Sequence, residues 1–190
     1  TGNFGDILAG WYAKKLGLPI KKLLCASNEN NVLTEFFASG IYDRKRPFHV
    51  TTSPSMDILV SSNLERLLFY TLDQDATKTA QLMDQLSTRG VYMLDAELIT
   101  KLQTEFFADF ATIDQTATEI KRVFEKEGYP LDPHTAVGSF VARQYQLKTG
   151  DLTPMIVVST ASPYKFPEAV LDALGKRQEA TGTAALKQLH

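Results

Sequence analysis

Thr1-Gly2-Asn3-Phe4-Gly5-Asp6 opens the chain, and Leu8, Trp11, Tyr12 and Leu16 follow it at helical spacing. Successive backbone N–H groups in a glycine-rich turn can surround an anion, and the positive end of the next helix points at the same place. Gly2 and Gly5 let the backbone approach phosphate oxygens closely, and Thr1 and Asn3 add side-chain donors. Asp6 is placed to cap the helix, Lys14 and Lys15 fall in its last turn, and Gly17 supplies its stop. The stretch departs from the dinucleotide fingerprint and has no P-loop lysine. On these grounds it fits a tight turn before a helix as well as it fits a phosphate site.

Outward from that loop, residues 20–26 read as a buried strand. Asn28 or Asn30 can cap a second helix with Val32, Leu33, Phe36 and Phe37 on its apolar face and Gly40 at its end. Residues 48–50 read as a short strand. Ser53-Pro54 then reads as N-cap and first helical residue of a helix over 55–70, buried through Ile58, Leu59, Leu64, Leu67 and Leu68. Helical patterns cover 76–86 and 116–127, with a strand pattern over 106–112. Asp132-Pro133 repeats the cap-plus-proline device before a helix over 134–147, and Gly150 ends it. Residues 155–159 form an apolar strand pattern, Pro163 breaks the chain, and Pro167-Glu168 starts a helix ending near Gly175. The remaining polar residues read as a mobile tail. Helices alternating with short β-branched runs indicate an α/β layer fold with a mainly parallel sheet. Residues 1–71 form a core segment carrying the glycine loop, 72–128 an insertion or small helical subdomain, and 129–190 a return to the core.

The 190 residues suffice for one ordinary domain, and 44% hydrophobic content is normal for a globular protein. A net charge of -2 and a pI near 5.9 point away from a nucleic-acid partner. Arg44, Lys45 and Arg46 read as a solvated loop. Cys25 is the only cysteine, so no internal disulfide forms; its apolar setting reads as a small buried hydrophobe, and the composition fits the cytoplasm. No apolar stretch is long enough to cross a bilayer, and no signal peptide is visible. His49, His134 and His190 lack metal-ligand spacing, so no metal is expected. His49 reads as bonding a neighbouring backbone group, and His134 as a solvated first-turn residue or one meeting an anion at its helix end. Asn28, Asn30 and Asn31 read as caps and turns. The chain starts without a methionine, which suggests that the true amino terminus lies elsewhere.

The opening hexapeptide resembles the phosphate-cradling loop of threonine synthases. Ordered along the chain after it, so do Cys25-Ala26-Ser27-Asn28-Glu29-Asn30-Asn31, Ser53-Pro54-Ser55-Met56-Asp57-Ile58 with Ser62-Asn63-Leu64-Glu65-Arg66, Asp132-Pro133-His134-Thr135-Ala136, and Thr160-Ala161-Ser162-Pro163-Tyr164-Lys165-Phe166. The resemblance implies part of the tryptophan-synthase-β-like fold (fold type II), a three-layer helix/parallel sheet/helix arrangement. It also implies pyridoxal 5'-phosphate as cofactor and conversion of O-phosphohomoserine and water to threonine and phosphate. By the same resemblance Gly2, Asn3, Phe4 and Gly5, with Asp6 at the edge, surround the cofactor phosphate, and Thr160 bonds the pyridine nitrogen. Read without it, Thr160 is a strand-end hydroxyl capping the next turn.

Lys165 is the candidate for the substrate phosphate, or else a surface lysine near a helix start. Ser162 stands where many relatives carry histidine, so no imidazole role transfers. None of the lysines falls in a motif matching the one that forms the cofactor Schiff base, so no catalytic residue is assigned and the chain is expected to be inactive alone. It is also expected to self-associate through exposed core surface. The competing readings are another fold-type-II lyase, such as a serine or threonine dehydratase, and a non-enzymatic anion-binding module.

Overall fold

The computed structural model describes residues 3–176 and 181–189. By internal contacts the chain divides into one unit of Thr1–His49 with Ser55–Phe110 and a second of Val50–Pro54 with Ala111–His190. This partition differs from the expected division into a core segment 1–71, an insertion or small subdomain 72–128 and a return to the core over 129–190.

In the first unit, α1 (Gly5–Lys15) leads to β1 (Leu23–Ser27), α2 (Val32–Ser39) and β2 (Ile41–Asp43). Then come α3 (Leu64–Thr71), α4 (Ala76–Arg89), β3 (Val91–Met93), α5 (Ala96–Glu105) and β4 (Phe106–Phe110). β1 pairs in parallel with β4, from Leu23 opposite Phe106 to Ser27 opposite Phe110. β2 and β3 pair antiparallel, with Tyr42 opposite Tyr92 and their rings stacked at 5.2 Å. The core gathers Phe4, Trp11, Cys25, Leu33, Phe36, Phe37, Leu67 and Phe106. Burial pushes the Cys25 thiol up to about 11, so it acts as a small hydrophobe, as its setting in the sequence indicates.

In the second unit, α6 (Ile113–Glu127), α7 (Pro133–Thr149), α8 (Pro167–Ala173) and α9 (Thr183–Leu189) surround Ile120, Leu131, Ala136 and Val170. α6 starts with a capping box between Thr112 and Gln115, and α7 starts on Asp132 with Pro133 in its first turn. Glu119 is fully buried on α6. Arg122 grips it with two bonds of 3.0 and 2.6 Å, Arg143 from α7 lies 3.1 Å away, and Ser139 Oγ donates at 2.7 Å. Burial raises this carboxyl, but the hydrogen bonds from Arg122 and Ser139 and both guanidinium charges outweigh it, leaving it below the usual range.

Several local expectations are corrected. The strand 20–26 starts later, at Leu23. The helix over 55–70 is a short 3-10 turn, Pro54–Met56, and then α3 from Leu64. Ile58 and Val60 are β-branched, and the intervening chain is anchored elsewhere: the Tyr42 hydroxyl donates to Leu59 O at 3.2 Å and accepts from Ser61 N at 2.7 Å. Residues 48–50 are not a strand, because Asn30 takes both backbone groups of His49: its Oδ1 accepts from His49 N at 2.9 Å and its Nδ2 donates to His49 O at 2.8 Å.

Residues 155–159 are not a strand either. A ladder needs a neighbouring strand; none pairs with this segment among the described residues, and Ile156 is 91% exposed. The tail expected to be mobile contains α9; His190 lies outside the described residues. The Arg44–Lys45–Arg46 cluster is not simply solvated, since Arg44 donates to Ser87 O at 2.8 Å and Arg46 to Asn31 Oδ1 at 2.9 Å, beside Glu35.

Candidate functional site

Thr1 and Gly2 lie outside the described residues, so the loop is visible from Asn3. Phe4, and not Asp6, is the N-cap of α1, with φ 61° in the left-handed region; Asp6 sits inside the first turn. That conformation costs a non-glycine residue about 1–2 kcal/mol, and packing holds it. The Phe4 ring is fully buried, 5.9 Å from Phe37 and 5.8 Å from Phe106. Phe4 can therefore face a ligand only through its backbone.

The first bond of the helix runs from Leu8 N to Phe4 O at 3.0 Å, and the N-cap Phe4 supplies no side-chain cap. α4, α5, α6 and α7 each have an Asp or Thr in that role, whereas α2, α3 and α8, like α1, have no side-chain cap bond. Behind the loop, Arg66 Nη1 donates to Asn63 Oδ1 at 2.6 Å, which leaves Asn63 Nδ2 to donate to Asn3 O at 2.8 Å. This brace was missed from the sequence; its signal was the Asn63–Arg66 spacing of three on one helix face.

The asparagines do more than cap. Asn31 is the N-cap of α2 without a side-chain bond to it. Asn28 Oδ1 accepts from Asn30 N at 3.0 Å, and Asp57 Oδ1 accepts from Asn28 Nδ2 at 2.7 Å and Asn30 Nδ2 at 3.1 Å. Three buried or half-buried side chains thus tie the carboxyl end of β1 to His49 and Asp57, all within the first unit.

The second unit carries the other candidates. His134 is buried rather than solvated: its Nδ1 is 3.1 Å from Asp132 Oδ1 and its ring centre 4.9 Å from Phe166. Asp132 Oδ1 also accepts from His134 N at 2.9 Å and Thr135 N at 3.3 Å, and Thr135 Oγ1 donates to Oδ2. Burial raises the Asp132 carboxyl, and these bonds from His134 and Thr135 outweigh it and hold it below its ordinary value. Ser159 Oγ lies 3.2 Å from Thr135 Oγ1, next to exposed Thr160. Lys165 is exposed in the 3-10 turn Pro163–Lys165, whose N-cap Ser162 accepts from Tyr164 N at 3.3 Å. No group of histidine, cysteine and carboxylate side chains suited to a metal occurs among the described residues.

Threonine synthase from Brucella melitensis, solved with PLP bound, superposes on the whole of this chain with a TM-score of 0.87 and 45% identity, the match covering 39% of that chain. The chain belongs to the threonine synthase family. Its residues 135–190 match the family model described as threonine synthase, C-terminal. Threonine synthase-like 1 from Macaca fascicularis is 46% identical over 92% of this chain and 23% of that protein. Threonine synthase from Saccharomyces cerevisiae is 41% identical over 92% of this chain and 37% of that protein. The chain thus spans between about a quarter and two-fifths of these relatives' length. Within the threonine synthase family the fold class is the expected one, α/β with parallel pairing and the likeness to a PLP-bound enzyme of fold type II.

Proposed function

We propose that the protein to which this chain belongs is a PLP-dependent threonine synthase, converting O-phosphohomoserine and water to L-threonine and phosphate. The observation that carries this reading is the first turn of α1, which presents backbone donors with no side-chain cap. Among the described residues a Cβ at Gly5 would meet only Asn63 Nδ2, at 3.6 Å, so packing among them does not demand glycine there. Close approach by phosphate oxygens does. The donor set therefore fits the cofactor phosphate, with Gly2, Asn3, Phe4, Gly5 and Asp6 around it. Asn63 and the Phe4 ring fix the loop before any ligand arrives.

When bound, the cofactor supplies an electron sink for elimination and replacement at the substrate's β and γ carbons. Thr160 offers the pyridine nitrogen a neutral hydroxyl, which does not force protonation as a carboxylate would. Lys165 offers an ammonium to the substrate phosphate. The chain has no lysine in a motif matching the cofactor lysine and is inactive by itself.

The test is phosphate release from O-phosphohomoserine in the presence of PLP. Release should be absent for the 190-residue chain and present when it is co-expressed with the part of the Brucella melitensis enzyme outside the matched region. Turnover by the chain alone, or a complemented enzyme that deaminates serine or threonine but leaves O-phosphohomoserine intact, would overturn the reading.

A further inference from the structure

The first unit contains a cleft of about 340 Å³ between α1, α3 and α5, at the small end of the usual range for ligand pockets. Nothing in the proposed cofactor chemistry uses it. Trp11 and Leu102, both largely buried, lie at its base. Tyr12 and Tyr70 stand edge to face at 5.7 Å, and Tyr70 lies 5.5 Å from Trp11.

An aromatic trio of this kind would by itself suit a quaternary ammonium ligand. The charges around it exclude one. Lys15 Nζ already sits over the Trp11 ring at 5.1 Å and holds Glu105 Oε1 at 2.8 Å. Lys101 also lines the cleft, so two ammonium groups face one carboxylate there. Lys101 is only loosely engaged: Asp73 Oδ1 is 3.7 Å away on a side chain that is 92% exposed, and Thr71 O is 3.4 Å away. A solvent-screened pair of that kind yields readily to a better-placed anion.

The cleft therefore combines aromatic walls with a loosely held ammonium group.

We infer that this cleft binds a small aromatic carboxylate, its ring against Tyr70 and Trp11 and its carboxylate on Lys101. Trp11 is the only tryptophan in the chain, so its emission reports on the cleft directly. The experiment is a benzoate titration of the intact 190-residue chain followed by tryptophan fluorescence, with acetate and benzylamine at matched ionic strength as controls. Benzoate should give a saturable change that neither control gives.

Lys101→Met should weaken binding by about tenfold or more, the size of one lost charge-assisted hydrogen bond, whereas Lys101→Arg should retain it. The Lys101 side chain is 53% exposed, so an unchanged thermal melt is expected for both variants. The absence of a saturable response to benzoate, an equal response to acetate or benzylamine, or unchanged affinity in Lys101→Met would each overturn the inference. None of these outcomes bears on phosphate release from O-phosphohomoserine.

Discussion

By composition, residues 155–159, Met-Ile-Val-Val-Ser, make a better strand than β1, Leu-Leu-Cys-Ala-Ser, because they hold three β-branched residues and β1 holds none. Only β1 is a strand. It is paired along its length with β4 and packed by α1 and α2, and Cys25 within it is completely buried. In 155–159, Ile156 and Val158 are exposed and no ladder forms. A strand is a relation between two segments, and β propensity measures how well a sequence fits a sheet that must already be present. The apolar character of 155–159 suits a partner outside the described residues, which is the physical basis for expecting the chain to self-associate.

Substitutions sharpen this contrast. Cys25→Asp places a charge without a partner in the core between the two parallel strands. It should cost roughly 3–5 kcal/mol in urea denaturation, enough to unfold a marginal domain. In the second unit Glu119→Gln should cost about 1–3 kcal/mol, less than a fully buried pair, because Arg122 and Arg143 are about 40% and 36% exposed and can rehydrate.

Acid should act in the same place. Glu119 and Asp132 have lowered pKa values in the folded protein, so their stabilisation is complete above the unfolded values of about 4.3 and 3.9 and is lost as pH falls through the folded ones. Amide exchange in α6 and α7 should therefore accelerate below about pH 4, ahead of exchange in β1. Equal acceleration in β1 would remove the distinction between the two regions.

The smallest effect is expected at Ile156→Asp, within about 0.5 kcal/mol, since the side chain is already in water. Light scattering at high concentration should nevertheless fall. A loss of stability comparable with that of Cys25→Asp would mean that 155–159 is packed within the chain after all.

The helices with strong local signals were legible from the sequence. Asp132-Pro133 to Gly150 marks α7, and the patterns over 76–86 and 116–127 fall within α4 and α6. The parallel α/β class followed from the alternation of elements. Less legible was whatever depended on a distant partner. Tyr42 holds the 59–61 backbone out of a helix, and Asn30 satisfies His49 in place of a strand; both are long-range hydrogen bonds with no local pattern.

The β2–β3 pair did have a signal that went unread: Gly40-Ile41-Tyr42 and Gly90-Val91-Tyr92 share glycine, a β-branched residue and tyrosine after a helix. At the candidate site, the glycine-rich turn before a helix was legible. Its support was not, because the left-handed Phe4 is held by rings from α2 and β4 and the Asn3 carbonyl by a side chain sixty residues away.

We propose that the first turn of α1 holds the phosphate of a cofactor. The most direct test of this central claim is a ¹⁵N–¹H spectrum of the chain titrated with inorganic phosphate at constant ionic strength. Saturable shifts at the amides of Gly5, Asp6 and Ile7, with β1 amides unmoved, are the predicted result. An α1 amino terminus that responds no more than the side-chain-capped starts of α4 and α5 would contradict it.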